Sequence, residues 1–503
     1  GANTSRTSVY RYDLDICFFR AYEEGKPARV PHHLAWNARP VAEGDLVFVS
    51  GHPGHTDRAD TLAELLAMRD RRLPHDLRTL NRLEALYASY CEEGPEERRL
   101  AAASLYGAQN GRKARAGILA ALLDPDLIAA KAADEAATRA LIEQGRDGTA
   151  SPYPRIDAAQ AELDRIAVRY RMLEAGEGFN SEFFANARTI LRAAAERAKP
   201  DGARLREYRD ANRLPLELQL FSEEPLDDGF ETAKLADSLT ALAAAVGADD
   251  PLVRAVLAGK PPRERAAELV RGTSLGRRPQ GEAAAAPPDR RRELYDGGAA
   301  AVAASTDTML ALAGIVDEEA RAVRKVAEAA DEVKRQAHAE IARARFARQG
   351  AALYPDATFT LRLAYGTVRG IAAGGPDDCP AITTYAGLFE RARSKGDAPP
   401  FALPPRWRAL RAELEADAAF MATPFNFAAT ADIIGGNSGS PVVNRAGELV
   451  GLIFDGNIHS LRLDLVYDER LARAVAVDAA GIRAALRRVY AAEWLLAEIA
   501  APR

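Results

Sequence analysis

Cysteine is scarce in this chain: Cys17, Cys91 and Cys379 are the only three in 503 residues. They allow at most one disulfide and fit no metal-ligand spacing, which excludes a disulfide-stapled scaffold and a cysteine-held metal centre. Histidine is scarce too, with seven residues. His32-His33 and His52-x-x-His55 lack the neighbouring carboxylates or cysteines of a ligand set, so neither metal nor cofactor is expected. An excess of basic charge is absent: 67 Lys and Arg face 72 Asp and Glu, a net charge of −5. That balance leaves no footprint for nucleic acid. No apolar run is long enough to span a bilayer. The remainder, 48% hydrophobic and 28% charged, is an ordinary globular composition, in a chain long enough for several domains.

The texture of the chain changes twice. Residues 10–56 alternate β-like runs, Asp15–Tyr22 and Asp45–Ser50, with turns such as Gly51-His52-Pro53-Gly54. From about residue 60 to 346 the composition is Ala, Leu, Arg and Glu at helical spacing. Leu163, Ile166, Ala167, Tyr170 and Leu173 share one helix face, and Asp124-Pro125 reads as an N-cap followed by proline at the first helical position. A Gly/Pro/Arg-rich stretch at 271–292 reads as an exposed loop. Residues 354–477 return to strands. There Thr358–Tyr365 alternates polar or small residues with large apolar ones, the pattern of a half-buried strand. The tail, with Ile482, Leu486, Val489, Tyr490 and Leu495, reads as a closing helix. The expected division is therefore 1–59, 60–346 and 347–503.

The segment Ile433–Asn444, IIGGNSGSPVVN, carries the chemistry. A serine attacks an amide when it projects from a sharp turn and backbone N–H donors meet the developing oxyanion. Gly436 and Gly439 flank Ser438. Gly436 adopts angles a side chain would forbid, so that its N–H and that of Ser438 converge on one oxyanion hole. Val442-Val443 and Leu449–Phe454 are β-rich, with the hairpin signal Asn444-Arg445-Ala446-Gly447 between them. The fifth position of the motif, with Gly436 as the first, is Ser440 and no helix follows, which disfavours a strand-to-helix nucleophile elbow and favours Gly-x-Ser-Gly-x-Pro on a β-barrel. A Gly/Ser-rich turn without chemistry is the alternative.

GGNSGSPVVN and GLIFDGN, with YRYDLDICFFRAY (10–22), GDLVFVSGHPGHT (44–56), YPDATFTLRLAYGTVRGI (354–371) and TPFNF (423–427), resemble the family 46 serine peptidases, the bacterial dipeptidyl-peptidases 7 and 11 and their relatives. The resemblance implies an α+β architecture: a chymotrypsin-like double β-barrel, its first barrel incomplete here, with a large inserted α-helical domain. It implies release of dipeptides from the free N-terminus of peptides, in a periplasmic or secreted homodimer. Family members carry an additional N-terminal stretch. This chain opens on Gly1 without a charged-then-apolar leader, as a processed or incomplete product would.

The resemblance also assigns residues. Asp15 matches the aspartate that orients the catalytic histidine; Asp13 competes, and a turn aspartate is the bland alternative for either. The histidine itself lies upstream in the family. None of His32, His33, His52, His55, His75, His338 or His459 sits in a matching motif, so the chain as given is expected to be nearly inactive. Asp455 resembles the aspartate that binds the substrate ammonium, and Asn110 an asparagine supplied by the helical domain; a hairpin-turn aspartate and a helix cap are their alternatives. Gly456 stands where Asp/Glu-specific members carry an arginine, which implies an apolar or aromatic P1 preference. Arg6-Thr7 departs from the family's further ammonium-binding pair. The alternative of another class is a peptide-binding homologue without catalysis.

Overall fold

The computed structural model describes residues 11–37, 39–144, 151–276, 289–372, 374 and 378–500. Two compact units emerge: Gly1–Leu77 with Gln109–Ala137 and Gln349–Arg503, and Arg78–Ala108 with Thr138–Arg348.

The first unit is built on strands. A minimal ribbon pairs β1 (Tyr22–Glu23) with β2 (Lys26–Pro27). The main sheet contains β3 (Leu46–Gly51), β4 (Arg362–Thr367), β5 (Ile382–Thr384), β6 (Pro424–Ala429), β7 (Pro441–Val443), β8 (Leu449–Gly456) and β9 (Ala474–Asp478). Its seven strands run antiparallel in the order β4-β3-β7-β8-β9-β6-β5. A bridge from Val368, just past β4, to Ala429 at the end of β6 curls the sheet into a half-barrel. Val47, Val49, Val442, Val450, Ile453 and Phe427 fill its concave side. A second cluster, Tyr385, Phe389, Trp407, Phe420 and Phe425, packs beneath the helix Ala479–Arg488. The β7–β8 hairpin closes as its sequence demands: Asn444 Oδ1 accepts from the N–H groups of Ala446 and Glu448, and Gly447 turns the chain at φ 76°.

Two strand expectations are corrected. Asp15–Tyr22 forms no ladder before Tyr22. The side chain of Asn426 takes both the N–H and the C=O of Asp13, while Leu14 and Ile16 pack on Val477, Ile482 and Leu486. Side chains thus hold this segment where a neighbouring strand would otherwise do so. In β4 the alternation is present but inverted: Leu363 and Tyr365 are 66% and 68% exposed. The reason is Gly366, where a Cβ would lie 2.3 Å from Ala431 N. Backbone approaches backbone there, so only the face of Ala364 and Gly366 fits inward.

The tail is two helices, Ala479–Arg488 and Glu493–Ala500, where one closing helix is expected, with Ala491 at a positive φ between them; elsewhere the reading holds locally. Asp124 caps the helix Pro125–Gln144 by accepting from Asp126 N–H. Of the stretch 271–292, residues 277–288 lie outside the described residues, and Arg290 already begins the helix Arg290–Ala303. Arg6-Thr7 also lies outside them. Among the described residues no single helix is long and apolar enough to cross a membrane.

The second unit is helical, with a core of Phe179, Phe183, Phe184, Leu235, Leu239 and Met309. Beside it runs a buried ionic network. Arg192, 3% exposed, forks onto Glu174 and binds Asp317 through Nε at 2.6 Å. Arg321 joins Asp317 to Glu196, which also takes Lys199 and the N–H of Leu205. Burial pushes the Glu196 carboxyl up, but these hydrogen bonds outweigh it and bring it down to about 2.

Candidate active site

Ser438 is exposed at the tip of the loop between β6 and β7, with Asn437 buried directly beneath it. The loop is fixed from two sides. Towards β8, Gly439 N–H donates to Ile453 O at 2.7 Å and Ile453 N–H donates to Ser440 O at 3.0 Å. Towards the segment after β3, Gly54 N–H donates to Gly435 O at 2.7 Å. Gly436 sits at φ 104°, and a Cβ there would lie 2.5 Å from His52 O and 2.8 Å from Gly54 N. Only glycine fits both the backbone angle and the space. At Gly51, on β3, a Cβ would meet Ser440 Oγ at 2.1 Å, so the strand packs closely against this loop.

The backbone donors of this loop divide into two sets. Asn437, Gly439 and Ser440 N–H groups donate to Ile434 O, Ile453 O and Asn437 O. Among the described residues, the N–H groups of Gly436 and Ser438 have no acceptor, and Ser438 Oγ has no hydrogen-bond partner. Two unused donors, one on either side of Asn437 and one of them on the exposed serine itself, can receive a developing oxyanion.

An arginine the sequence did not single out supports this loop. Arg58, with a side chain 9% exposed, binds Asp432 bidentately at 2.8 and 2.9 Å and donates through Nε to Leu463 O. Asp356 accepts from Thr56 Oγ1 and from the N–H groups of Arg58 and Ala59. Arg58 and Asp432 are 374 residues apart, so only the fold reveals the pair.

Asp455 stands two residues beyond Ile453 on β8, with 43% of its side chain exposed. Its Oδ1 accepts from Gly456 N–H and its Oδ2 from Arg11 Nε, both at 2.8 Å. The following turn is rigid. Buried Asn457 accepts from Ser460 N–H and Arg473 N–H and donates to Leu471 O. Arg473, 2% exposed, gives its guanidinium to the carbonyls of Arg369, Gly370, Glu469 and Ala472. At Gly456 a Cβ would lie 2.3 Å from Ser460 Oγ, so the space beside this glycine holds a hydroxyl.

Asp15 is exposed at the apex of a tight turn closed by Ile16 N–H to Leu14 O at 3.0 Å. Asp13 is its electrostatic neighbour. Desolvation is the main cause that holds the Asp13 carboxyl above its ordinary value, with Asp455 and Asp15 acting in the same direction and positive charge opposing them. Arg11 in turn is ion-paired with Asp455.

Asn110 is exposed in the middle of the 28-residue helix Pro95–Leu122. That corrects the helix-cap alternative, since a mid-helix residue caps nothing. Seven residues on, Gly117 would place a Cβ 2.2 Å from Leu461 Cδ1. Asn110 lies two turns away on the same face, about 10 Å along the axis. The histidines are dispersed: the His52 ring lies 5.9 Å from that of Phe359, and His55 Nε2 pairs with Asp57 at 2.9 Å.

Comparison with known proteins adds the following. The sequence profile of the family described as Peptidase S46 matches residues 9–501. A dipeptidyl-peptidase 7 of Phocaeicola vulgatus is 39% identical over 127 residues, 25% of this chain and 17% of the relative's length. An Asp/Glu-specific dipeptidyl-peptidase of Shewanella putrefaciens is 26% identical over 558 residues, 99% of this chain and 72% of the relative. The crystal structure of Porphyromonas endodontalis DPP11 with the dipeptide Arg-Glu superposes with a TM-score of 0.72 at 22% identity, over 95% of this chain and 68% of that one.

Proposed function

Because this chain belongs to the peptidase S46 family, we propose that it forms a serine dipeptidyl aminopeptidase, with Ser438 as nucleophile. Ser438 Oγ adds to the carbonyl carbon of the second peptide bond while a general base removes the hydroxyl proton. The oxyanion rests on the N–H groups of Gly436 and Ser438. The base then protonates the departing amine, and water releases the dipeptide from the acyl-enzyme by the same steps in reverse. Asp15 orients the base, which is the one member of the site not assigned to a residue here. Asp455, with Asn110, anchors the substrate ammonium and so sets the cut at two residues. The observation that carries this reading is the pair of unused N–H donors beside the exposed Ser438.

Gly456 brings no charge to P1, and the Arg473 guanidinium is committed to backbone carbonyls, so the proposed preference is for apolar or aromatic P1 residues. The double-barrel architecture, the three-part division at 59 and 346, and a periplasmic or secreted homodimer belong to the same proposal.

The test is hydrolysis of matched dipeptidyl amides with Leu, Phe, Asp or Glu at P1, together with fluorophosphonate labelling. Ser438→Ala is expected to lower kcat by about 10⁴-fold or more and to abolish labelling; equal labelling of the variant would remove Ser438 from the nucleophile's role. Preference for Asp or Glu would refute the pocket assignment. Because Ser460 occupies the space at Gly456, a switch towards acidic P1 is expected from Gly456→Arg only when combined with Ser460→Gly.

One observation favours a second reading, a peptide-binding protein without turnover: among the described residues Ser438 Oγ has no hydrogen-bond partner. Turnover by this 503-residue chain that disappears in His52→Ala or His55→Ala would assign the base and retire that reading.

A further inference from the structure

Arg11 is held in place before it reaches Asp455. Its carbonyl accepts from Thr383 Oγ1 at 3.0 Å, and two residues on, the Asn426 amide grips both backbone groups of Asp13. From this fixed segment Arg11 Nε meets Asp455 Oδ2 at 2.8 Å, with side chains 19% and 43% exposed. Gly456 N–H meets the other oxygen, Oδ1. A carboxylate offers about four acceptor positions, two on each oxygen. One on each is taken, the plane of the group is set, and one on each remains for a further donor.

We propose that Arg11 is a positioning residue of the amino-terminus site: it orients the Asp455 carboxylate so that its remaining acceptor positions receive a single peptide ammonium. This rests on Asp455 as the ammonium anchor. A guanidinium that merely plugged the site would behave in the opposite way, since its removal would improve binding.

The experiment is calorimetric titration of the chain with the dipeptide Ala-Phe and with N-acetyl-Ala-Phe, using the parent, Asp455→Asn, Arg11→Ala, Arg11→Lys and the double variant Arg11→Ala/Asp455→Asn. The parent is expected to prefer the free dipeptide, and Asp455→Asn to erase that preference. Arg11→Ala is expected to weaken free Ala-Phe about tenfold, the scale of one charge-assisted contact, while the acetylated form changes less than about twofold. Arg11→Lys should restore part of the loss. Adding Arg11→Ala to Asp455→Asn should change nothing further, a coupling that a general packing role would not produce. If Arg11→Ala impairs folding, Arg11→Gln takes its place. Unchanged or tighter binding by the Arg11 variants, alongside a clear loss in Asp455→Asn, overturns the inference and leaves the function standing. A parent without preference, or an indifferent Asp455→Asn, overturns both.

Discussion

The two units treat buried charge in opposite ways. In the helical unit carboxylates are matched with guanidinium groups: Glu174 and Asp317 share Arg192, and Glu196 is held down to about 2 by Lys199, Arg321 and the Leu205 N–H. In the sheet unit Arg58 matches Asp432 in the same way, but Asp478 and Asp464 have no guanidinium hydrogen-bonded to them among the described residues. Desolvation pushes Asp478 up to about 6, its capping N–H groups only partly offsetting this, and burial with neighbouring Asp57 pushes Asp464 up to about 6. The buried cation Arg473 binds carbonyl oxygens. One unit uses charge to hold itself together. The other holds Asp478, on β9, and Asp464 without guanidinium partners and leaves unused N–H donors on the loop that carries Ser438.

The largest expected effect breaks the helical side of this contrast. Arg192→Met leaves Glu174 and Asp317 without their main partner and should destabilise that unit by about 3–5 kcal/mol, read by urea unfolding and by hydrogen exchange over residues 152–348. A loss under about 1 kcal/mol would mean that the network is ornamental there.

The site side breaks at Gly436. Gly436→Ala puts a methyl group against His52 O at a positive φ, a strain of about 1–3 kcal/mol. Hydrolysis should fall about 100-fold or more through loss of an oxyanion donor, with the unfolding midpoint shifted only modestly. Retained hydrolysis would show that the loop does not need this conformation.

The contrast sharpens with pH because the signs differ. Glu196 has a folded value below its ordinary 4.5, so its contribution is present above 4.5 and fades as pH falls towards 2. Asp478 has a folded value above its ordinary 3.8, so its contribution favours the fold below 3.8 and is lost as pH rises through 6. Unfolding free energies measured from pH 7 to 3 should show Asp478→Asn flattening the upper window and Glu196→Gln the lower one. Both variants acting in one window would contradict the pairing described. The smallest effect is expected outside both networks: Leu363→Thr, on the exposed face of β4, should stay within about 0.5 kcal/mol of the parent.

What the sequence made legible follows from how local each signal is. Leu46–Gly51, the Asn444–Gly447 turn and the Asp124-Pro125 helix start depend on neighbours in the chain, and each stands where its pattern placed it. The face of β4 was misjudged because Gly366 decides it through contact with Ala431, 65 residues away. Asp15–Tyr22 has strand composition, but the chain is held by Asn426 on Asp13 just before it and by Ile16 packing on the helix Ala479–Arg488. At the candidate site, Ser438 and Gly436 are conspicuous because the turn chemistry lies in one string. Arg58, Asn437, Arg473 and Arg11 were not, since an arginine or asparagine in a loop is commonplace until the fold supplies Asp432, Ile434, the carbonyls around Gly370 or Asp455.

The central claim is that a free peptide amino terminus at Asp455 presents the second peptide bond to Ser438. The most direct test is dipeptide release by the full-length gene product from one peptide amide in free and N-acetylated form, parent beside Ser438→Ala. Dipeptide is expected from the free peptide alone, acetylation costing on the order of 2–5 kcal/mol in kcat/KM, and none from the variant. Equal cleavage of the acetylated peptide, or dipeptide release by Ser438→Ala, would contradict it.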